Sequence, residues 1–234
     1  MTTFKPTISI IIPVLNEAEY IKKVLLSISK NSGSDQIKEI LVIDGGSTDG
    51  TKNIALTYGA EVLHSKKGRA VQMNLGAKKA TGDLLYFLHV DSLPPKNFDL
   101  SIVQAVENGN EVGCFQMRFN SKSRFLKFFG WCTRINHQIC RGGDQTLFIT
   151  RNLFLETTGF NEDYIIYEDN EFIQRIYKLR PFKIIPATVV TSARRYEEKG
   201  MVKLQWHFGM IHLKHYLGAR PSELYRYYMK YIAI

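Results

Sequence analysis

An alternation of two periodicities constrains this chain more than any other feature. A β-branched apolar run over residues 7–15 is followed at once by a segment in which Ile21, Val24, Leu25 and Ile28 recur at the spacing of one helix face. The unit repeats, with strand character at 37–43, a helix at 49–58, a short strand at 61–64, a helix at 69–79 and a strand at 84–90. Strands alternating with amphipathic helices predict an α/β fold, a Rossmann-like, mostly parallel sheet with helices on both faces.

Pro94 and Pro95 interrupt the pattern. Beyond them the spacing predicts a helix through Val106, a strand at 112–119, an aromatic segment at 125–139 compatible with helix, and a strand at 146–150. A helix after Glu168 and a strand at 183–191 follow. Two helices, 201–217 and 222–232, parted by Gly218 and Pro221, complete a helical, basic C-terminal region. No repeat, low-complexity tract or long linker divides the chain, so one domain is expected over residues 1–234.

Composition narrows the class. With 44% hydrophobic and 23% charged residues the chain is neither disordered nor membrane-spanning, and its longest apolar runs fall far short of the roughly 18 residues that cross a bilayer. The first residues lack the apolar stretch of a secretory signal, which makes the cytoplasm the expected compartment. Cys114, Cys132 and Cys140 are odd in number and lack CxxC spacing, arguing against a disulfide framework and a zinc site and for buried free thiols. The net charge of +9 is concentrated at residues 176–234, which hold eleven Lys or Arg against three acids. That excess suits a diphosphate, an anionic membrane surface or nucleic acid, and equally a solvated face; charge alone does not choose.

Ligands of open parallel sheets bind beyond the carboxyl ends of the strands. Three such ends carry polar residues: Pro13-Val14-Leu15-Asn16-Glu17, Asp44-Gly45-Gly46-Ser47-Thr48-Asp49, and His89-Val90-Asp91. No GxGxxG follows the first strand and no P-loop occurs, which removes the main support for dinucleotide and P-loop readings. Asp44 suits a base or ribose, with Gly45 and Gly46 permitting close backbone approach, and Asp49 reads as a helix N-cap. His89 and Asp91 fall on one face of a strand terminus. Asp91 suits a hard divalent cation shared with a nucleotide, and His89 a hydrogen bond.

These three motifs, in this order, resemble those of glycosyltransferase family 2, whose members have the GT-A fold. The resemblance implies that Pro13, Leu15, Asn16, Glu17, Asp44 and Gly45 hold the nucleoside. It also implies that His89 and Asp91 form the counterpart of a DXD motif, Asp91 being the metal ligand for Mg²⁺ or Mn²⁺. Gly45 stands where many relatives have a second aspartate, and His89 where the first acid of DXD usually lies. The stretch Lys67-Gly68-Arg69-Ala70-Val71-Gln72-Met73-Asn74 is similar to a family segment. Arg69 and Asn74 are therefore candidates for donor phosphate or sugar, a solvent-facing helix being the alternative.

Farther on, Gly143, Asp144 and Gln145 mark an acceptor region, and Tyr167-Glu168-Asp169 resembles the family's ED motif. The resemblance implies that Asp169 is the general base of an inverting transfer and that Glu168 supports it. Acids in the first turn of a helix also have a purely structural explanation in its dipole. The Ser192-Ala193-Arg194-Arg195-Tyr196 stretch resembles a bacterial subgroup associated with arsenosugar biosynthesis. Arg194 and Arg195 there are candidates to neutralise a diphosphate.

The function expected is transfer of a sugar from a nucleotide diphosphate sugar, taken as a UDP-sugar, to a small-molecule or lipid-linked acceptor. Residues 1–95 form the nucleotide-binding half, 96–200 the acceptor and catalytic half, and 201–234 the tail. A non-catalytic nucleotide-sugar or membrane-surface module is the alternative, and no nucleic-acid recognition module is present. The tail tyrosines Tyr225, Tyr227, Tyr228 and Tyr231, with Arg226 and Lys230, predict either peripheral contact at the inner face of a membrane or a homodimer. His207, His212 and His215 read as members of a partly buried helix rather than as a metal site.

Overall fold

A computed structural model describes residues 5–233. Its strands are β1 Ile8–Val14, β2 Ile37–Asp44, β3 Glu61–His64, β4 Leu84–Phe87, β5 Ser92–Leu93, β6 Val112–Phe119, β7 Leu147–Thr150 and β8 Lys183–Thr191. Its helices are α1 Ala18–Asn31, α2 Thr51–Thr57, α3 Arg69–Lys79, α4 Phe98–Glu107, α5 Arg124–Cys132, α6 Arg151–Glu156, α7 Glu168–Leu179, α8 Arg194–Lys199, α9 Met201–Tyr216 and α10 Pro221–Tyr231. The eight strands make one sheet in the order β3-β2-β1-β4-β7-β6-β8-β5.

β3, β2, β1 and β4 run parallel, as the alternation requires. The other half is mixed: β7 lies antiparallel to both β4 and β6, β8 is parallel to β6, and β5 is antiparallel to β8. The mostly parallel sheet expected is thus observed, with its antiparallel pairings confined to the second half. Between β6 and β7 the chain makes no crossover back to the opposite edge. The 120–146 segment instead returns the chain beside β6 in the opposite direction, with Gly113 opposite Phe148 and Val112 opposite Ile149.

Each face of the sheet has its own core. Ile8, Ile10 and Ile12 point to one side, against Ile21, Val24, Leu25 and Ile28 of α1 and Phe98 and Ile102 of α4. Ile11, Ile43, Leu85 and Phe87 point to the other, against Met73 and Ala77 of α3 and Phe172 and Ile176 of α7. The two-residue alternation in the strands and the helical spacing in α1 thus meet in a doubly covered sheet. The approach is closest at two glycines. A Cβ on Gly76 would lie 2.5 Å from Ile11 Cγ2, and one on Gly113 would lie 2.2 Å from the Lys183 carbonyl oxygen across the β6–β8 ladder.

A third cluster joins Met117 and Phe119 to Leu126 of α5, Tyr196 of α8, Leu204 and Ile211 of α9 and Leu224 of α10. Of the cysteines, Cys114 is buried as expected, whereas Cys132 and Cys140 are half-buried because α5 ends on the surface. No helix among the described residues is long and apolar enough to cross a membrane.

Candidate active site

The topology delivers the polar motifs to one rim. β1, β2, β4, β6 and β8 all end there, and antiparallel β7 begins there, so Gly143, Asp144 and Gln145 reach the same edge from the amino end of a strand. α7 returns the chain toward β8 and starts at that rim with Glu168 and Asp169. β4 stops at Phe87, not at Val90 as the sequence suggests, and Leu88 to Asp91 turn away from the strand. His89 and Asp91 consequently occupy a loop rather than one face of a strand.

The loops after β1 and β2 are laced together. The Asn16 amide donates to Ser47 Oγ (2.9 Å), the Thr48 amide to Asn16 Oδ1 (2.8 Å), and the Glu17 amide to Thr51 Oγ1 (2.8 Å). Asn16 adopts a left-handed φ of 54° at this crossing. Asp49 is not the N-cap of α2 as expected but stands one residue before the N-cap Gly50, where it accepts from the Thr51 amide at 2.9 Å and from the Ala18 amide at 3.1 Å. Asp44 is buried and accepts from the Ser47 amide at 3.0 Å. Pro13 is buried beneath this crossing and Leu15 half-exposed beside it. Gln72 of α3 was not singled out in the sequence, yet its buried amide donates to the carbonyls of Val14 (2.8 Å) and Ile43 (2.7 Å). It pins the ends of both strands and packs against Gly45, where a Cβ would lie 3.1 Å from its Nε2. A polar residue on the buried side of an amphipathic helix was the available signal.

Arg69, the first residue of α3, is the hub of the other half. Its Nη2 donates to Asp169 Oδ2 at 2.8 Å and to the Gly143 carbonyl at 3.1 Å, its Nε lies 3.1 Å from Glu168 Oε1, and its Nη2 stands 3.0 Å from His89 Nδ1. Burial, then Arg69, hold the His89 ring neutral, with a pKa well below the ordinary histidine value. Burial raises the Asp169 pKa to about 7; Arg69 opposes the rise, and Glu168 and Asp144 add to it.

Asp91 is shifted in the same direction, by burial first and then by Asp144 and Glu17, against Arg194 and Arg69. Arg194 donates to Glu17 Oε1 at 2.7 Å and lies over the Tyr20 ring, 4.3 Å from its centroid. It bridges the first strand end to the last. Glu17 Oε2 is buried without a hydrogen-bond partner among the described residues.

Two sequence candidates lie elsewhere. The Asn74 amide clamps the main chain of Phe160 (2.9 Å in each direction) and donates to Glu162, which fixes the loop between α6 and α7 and leaves no free polar end for a donor. Arg195 donates to the Tyr228 hydroxyl at 3.2 Å and lies over Phe208, inside the C-terminal packing. A recess of about 490 Å³ beside Asn74, Gly159 and Arg175 includes none of Asp44, Asp91 or Asp169 in its lining.

The loop that carries Gly143, Asp144 and Gln145 is held by a residue the sequence did not announce. Buried Arg141 donates to the carbonyls of Thr133 (2.6 Å) and Ile135 (2.8 Å) and to Gln145 Oε1 (2.8 Å), and Gln145 donates on to the Cys140 carbonyl (2.8 Å). The ED carboxylates are braced from behind. Tyr167, at a left-handed φ of 73°, shares a 2.7 Å hydrogen bond with His212 of α9 and accepts from Gln174. His207 and His215 likewise meet tyrosine hydroxyls, at Tyr227 (2.8 Å) and Tyr164 (3.4 Å).

Known proteins resemble this chain in sequence and in fold. Glycosyltransferase AglE of Haloferax volcanii is 38% identical over 101 residues, which covers 40% of this chain and 33% of that one. The matched stretch is under half the length of the other curated relatives compared. Among solved structures, Staphylococcus aureus TarS 1-349 in complex with UDP superposes with a TM-score of 0.66 at 20% identity, covering 80% of this chain and 60% of that one. The mannosyltransferase PcManGT of Pyrobaculum calidifontis, in complex with GDP-Man and Mn²⁺, superposes at 0.61 and 21% identity, covering 80% and 57%. The fold is thus GT-A-like, a mixed but mostly parallel sheet flanked by helices. The family model for Glycosyl transferase family 2 matches residues 9–183, and the chain belongs to that family.

Proposed function

We propose that the chain is an inverting glycosyltransferase that moves a sugar from a nucleotide diphosphate sugar to an acceptor hydroxyl. One observation carries the reading. Through Arg69, the end of β4, the Gly143 loop and the first turn of α7 are drawn onto a single guanidinium, beside the laced loops of β1 and β2. A donor lying along that rim has Asp44 and the Asn16–Ser47 crossing for its nucleoside, Arg69 and Arg194 for its diphosphate, and Asp169 on the side where an acceptor enters.

In the reaction proposed, the acceptor oxygen attacks the anomeric carbon and its proton passes to Asp169. The bond to the diphosphate breaks, and the departing oxygen keeps the electron pair. General-base catalysis of this kind contributes about 10²- to 10⁴-fold. Glu168 holds Arg69 against the base and Asp144 faces the acceptor, while Gln145, expected to do the same, is buried and spends its amide on Arg141 and the Cys140 carbonyl. Asp91 is the carboxylate that a divalent cation would share with the donor's phosphates, since among the described residues no three His, Cys, Asp or Glu side chains gather into a metal site of their own. A nucleotide-bound Mg²⁺ or Mn²⁺ typically takes one or two protein carboxylates. When bound there, such an ion would supply Lewis-acid stabilisation of the diphosphate.

TarS is solved with UDP and PcManGT with GDP-Man and Mn²⁺, which supports a cation and leaves the base to Asp44 and Gly45. We take the donor as a UDP-sugar. The division into a donor half at 1–95, an acceptor half at 96–200 and a tail belongs to the same proposal. So does an acceptor related to arsenosugar synthesis, suggested by the Ser192 to Tyr196 stretch. Asp169→Asn tests the central assignment: turnover should fall about 10²- to 10⁴-fold while nucleotide-sugar binding by calorimetry is retained. Near-normal turnover would reject the base, and absence of turnover and of nucleotide binding in the unaltered chain would favour a non-enzymatic role.

A further inference from the structure

α9 buries Leu204 and Ile211, with Met201 and Phe208 beside them, in the cluster it shares with α5, α8 and α10. Its outward side is not polar. Val202, Trp206 (68% exposed), Leu213, Tyr216 (86%) and Leu217 (74%) follow steps of three and four residues and form one stripe, about 20 Å long at 1.5 Å per residue. α5 repeats the pattern in the same layer. Leu126 and Gly130 face inward, while Phe128 and Trp131 are exposed and stacked on each other, with Ile135 and Ile139 exposed beyond them. Single exposed apolar residues are ordinary, whereas two helices over one cluster that each present aromatic and aliphatic outer faces make a patch.

Along α5 and α9 themselves the charge has one sign, while the acids Glu197, Glu198 and Glu223 stand exposed on the adjoining α8 and α10. No acidic residue occurs between positions 121 and 143 or between 199 and 222. Lys122, Arg124, Lys127, Arg134 and Lys203 are exposed there. The tyrosines of α10, by contrast, are turned partly inward: the Tyr227 hydroxyl pairs with His207, and the Tyr228 hydroxyl accepts from Arg195. Of the surface expected from Tyr225 to Tyr231, Tyr227 and Tyr228 are thus taken up by packing while Tyr231 stays 41% exposed, and the larger exposed aromatic face belongs to α9 and α5.

We propose that the outward faces of α9 and α5 dock this chain on an anionic lipid surface. Trp, Phe and Leu side chains enter the headgroup boundary, and the Lys and Arg stems lie along it with their charges at the phosphates. A second copy of the chain fits less well. A two-fold contact sets the same cationic patch against itself in a protein that already carries +9, and like charges across an interface oppose association. The docked face lies close to the site, because His212 of the same helix bonds Tyr167, the residue before Glu168. A helix is about 10 Å across, so an acceptor presented at the lipid surface would lie within one helix diameter of that brace.

The experiment uses the full chain and reads binding, independently of any transferase activity. The only two tryptophans, Trp131 and Trp206, both belong to the patch, so their emission reports docking directly. Vesicles of phosphatidylcholine with about 30% phosphatidylglycerol should pellet the protein and shift its emission to the blue, whereas pure phosphatidylcholine should do neither, and added salt should weaken binding. Trp206→Glu combined with Leu213→Glu should lower the partition coefficient at least tenfold, and Lys127→Glu with Lys203→Glu several-fold, each with an unchanged melting temperature because the side chains are exposed. No pelleting at low salt would overturn the proposal. So would binding equal for charged and neutral vesicles, retention of binding by both variants, or a concentration-dependent dimer that buries both tryptophans.

Discussion

Replacing Arg69 with methionine, which has similar reach and no charge, should move the pH dependence of the reaction in addition to any uniform loss from weaker diphosphate binding. Asp169 must be ionised to accept a proton, so kcat/KM for the donor, which reports the free enzyme, should rise with pH through the Asp169 pKa of about 7. The Arg69 guanidinium lies 2.8 Å from Asp169 Oδ2. With charge centres about 4 Å apart and an effective dielectric of about 20, the attraction is about 4 kcal/mol. The Arg69 side chain is 37% exposed, and solvent screening leaves roughly half of that, about 2 kcal/mol. At 1.36 kcal/mol per unit this is a rise of roughly 1.5 units, from about 7 to about 8.5. The sign follows from the charge: loss of a cation disfavours the carboxylate, so the base is ionised only at higher pH. At pH 7 the ionised fraction falls from about one half to about one thirtieth, a loss of roughly 15-fold that shrinks as the pH approaches about 10. Initial rates from about pH 5 to about pH 10 measure the displacement, and Arg69→Lys should restore most of it. If the variant's curve is lowered by one factor at every pH with its acid limb in place, Arg69 acts on the donor alone and the argument from its ion pair is wrong.

Two further outcomes follow from single side chains. Asp91→Asn should abolish the Mn²⁺-dependent part of the thermal stabilisation given by a nucleotide sugar, leaving the melt of the ligand-free protein at or slightly above its original temperature, because a buried repelling carboxylate is removed. Gly113→Ala should lower stability by at least about 1–3 kcal/mol in urea unfolding, because its Cβ would meet the Lys183 carbonyl oxygen, a main-chain atom that the β6–β8 ladder holds in place.

The first half of the fold was legible because each element there is decided locally. Residues of β1 are apolar on both faces, α1 shows four core positions on one stripe, and the sheet order β3-β2-β1-β4 is what repeated right-handed strand–helix units produce. Legibility fails where the deciding interaction is remote or the element is short. α6 and α8, of six residues each, and the two-residue β5 carry too few positions to show a period. The early end of β4 is set by β7, whose Leu147 pairs with Phe87 and leaves Leu88 onward without a partner on that side.

The same remote strand explains what the sequence could and could not say about the site. A rule that ligands meet the carboxyl ends of parallel strands correctly collects Asn16, Asp44 and Asp91. Applied to Gly143-Asp144-Gln145, which precede a strand, the rule would put them at the opposite rim. They stand beside Asp169 only because β7 runs antiparallel, and the consequence is chemical: the Gly143 carbonyl reaches Arg69, and Asp144 adds to the charge that raises both Asp91 and Asp169. Arg141, whose guanidinium gathers Thr133, Ile135 and Gln145, is what gives that loop a fixed shape. A lone arginine in a glycine-rich stretch gives no periodic sign of such a role. Two of its partners are main-chain carbonyl groups, which every residue possesses, so that part of the information lies in where the chain goes rather than in which residues it passes.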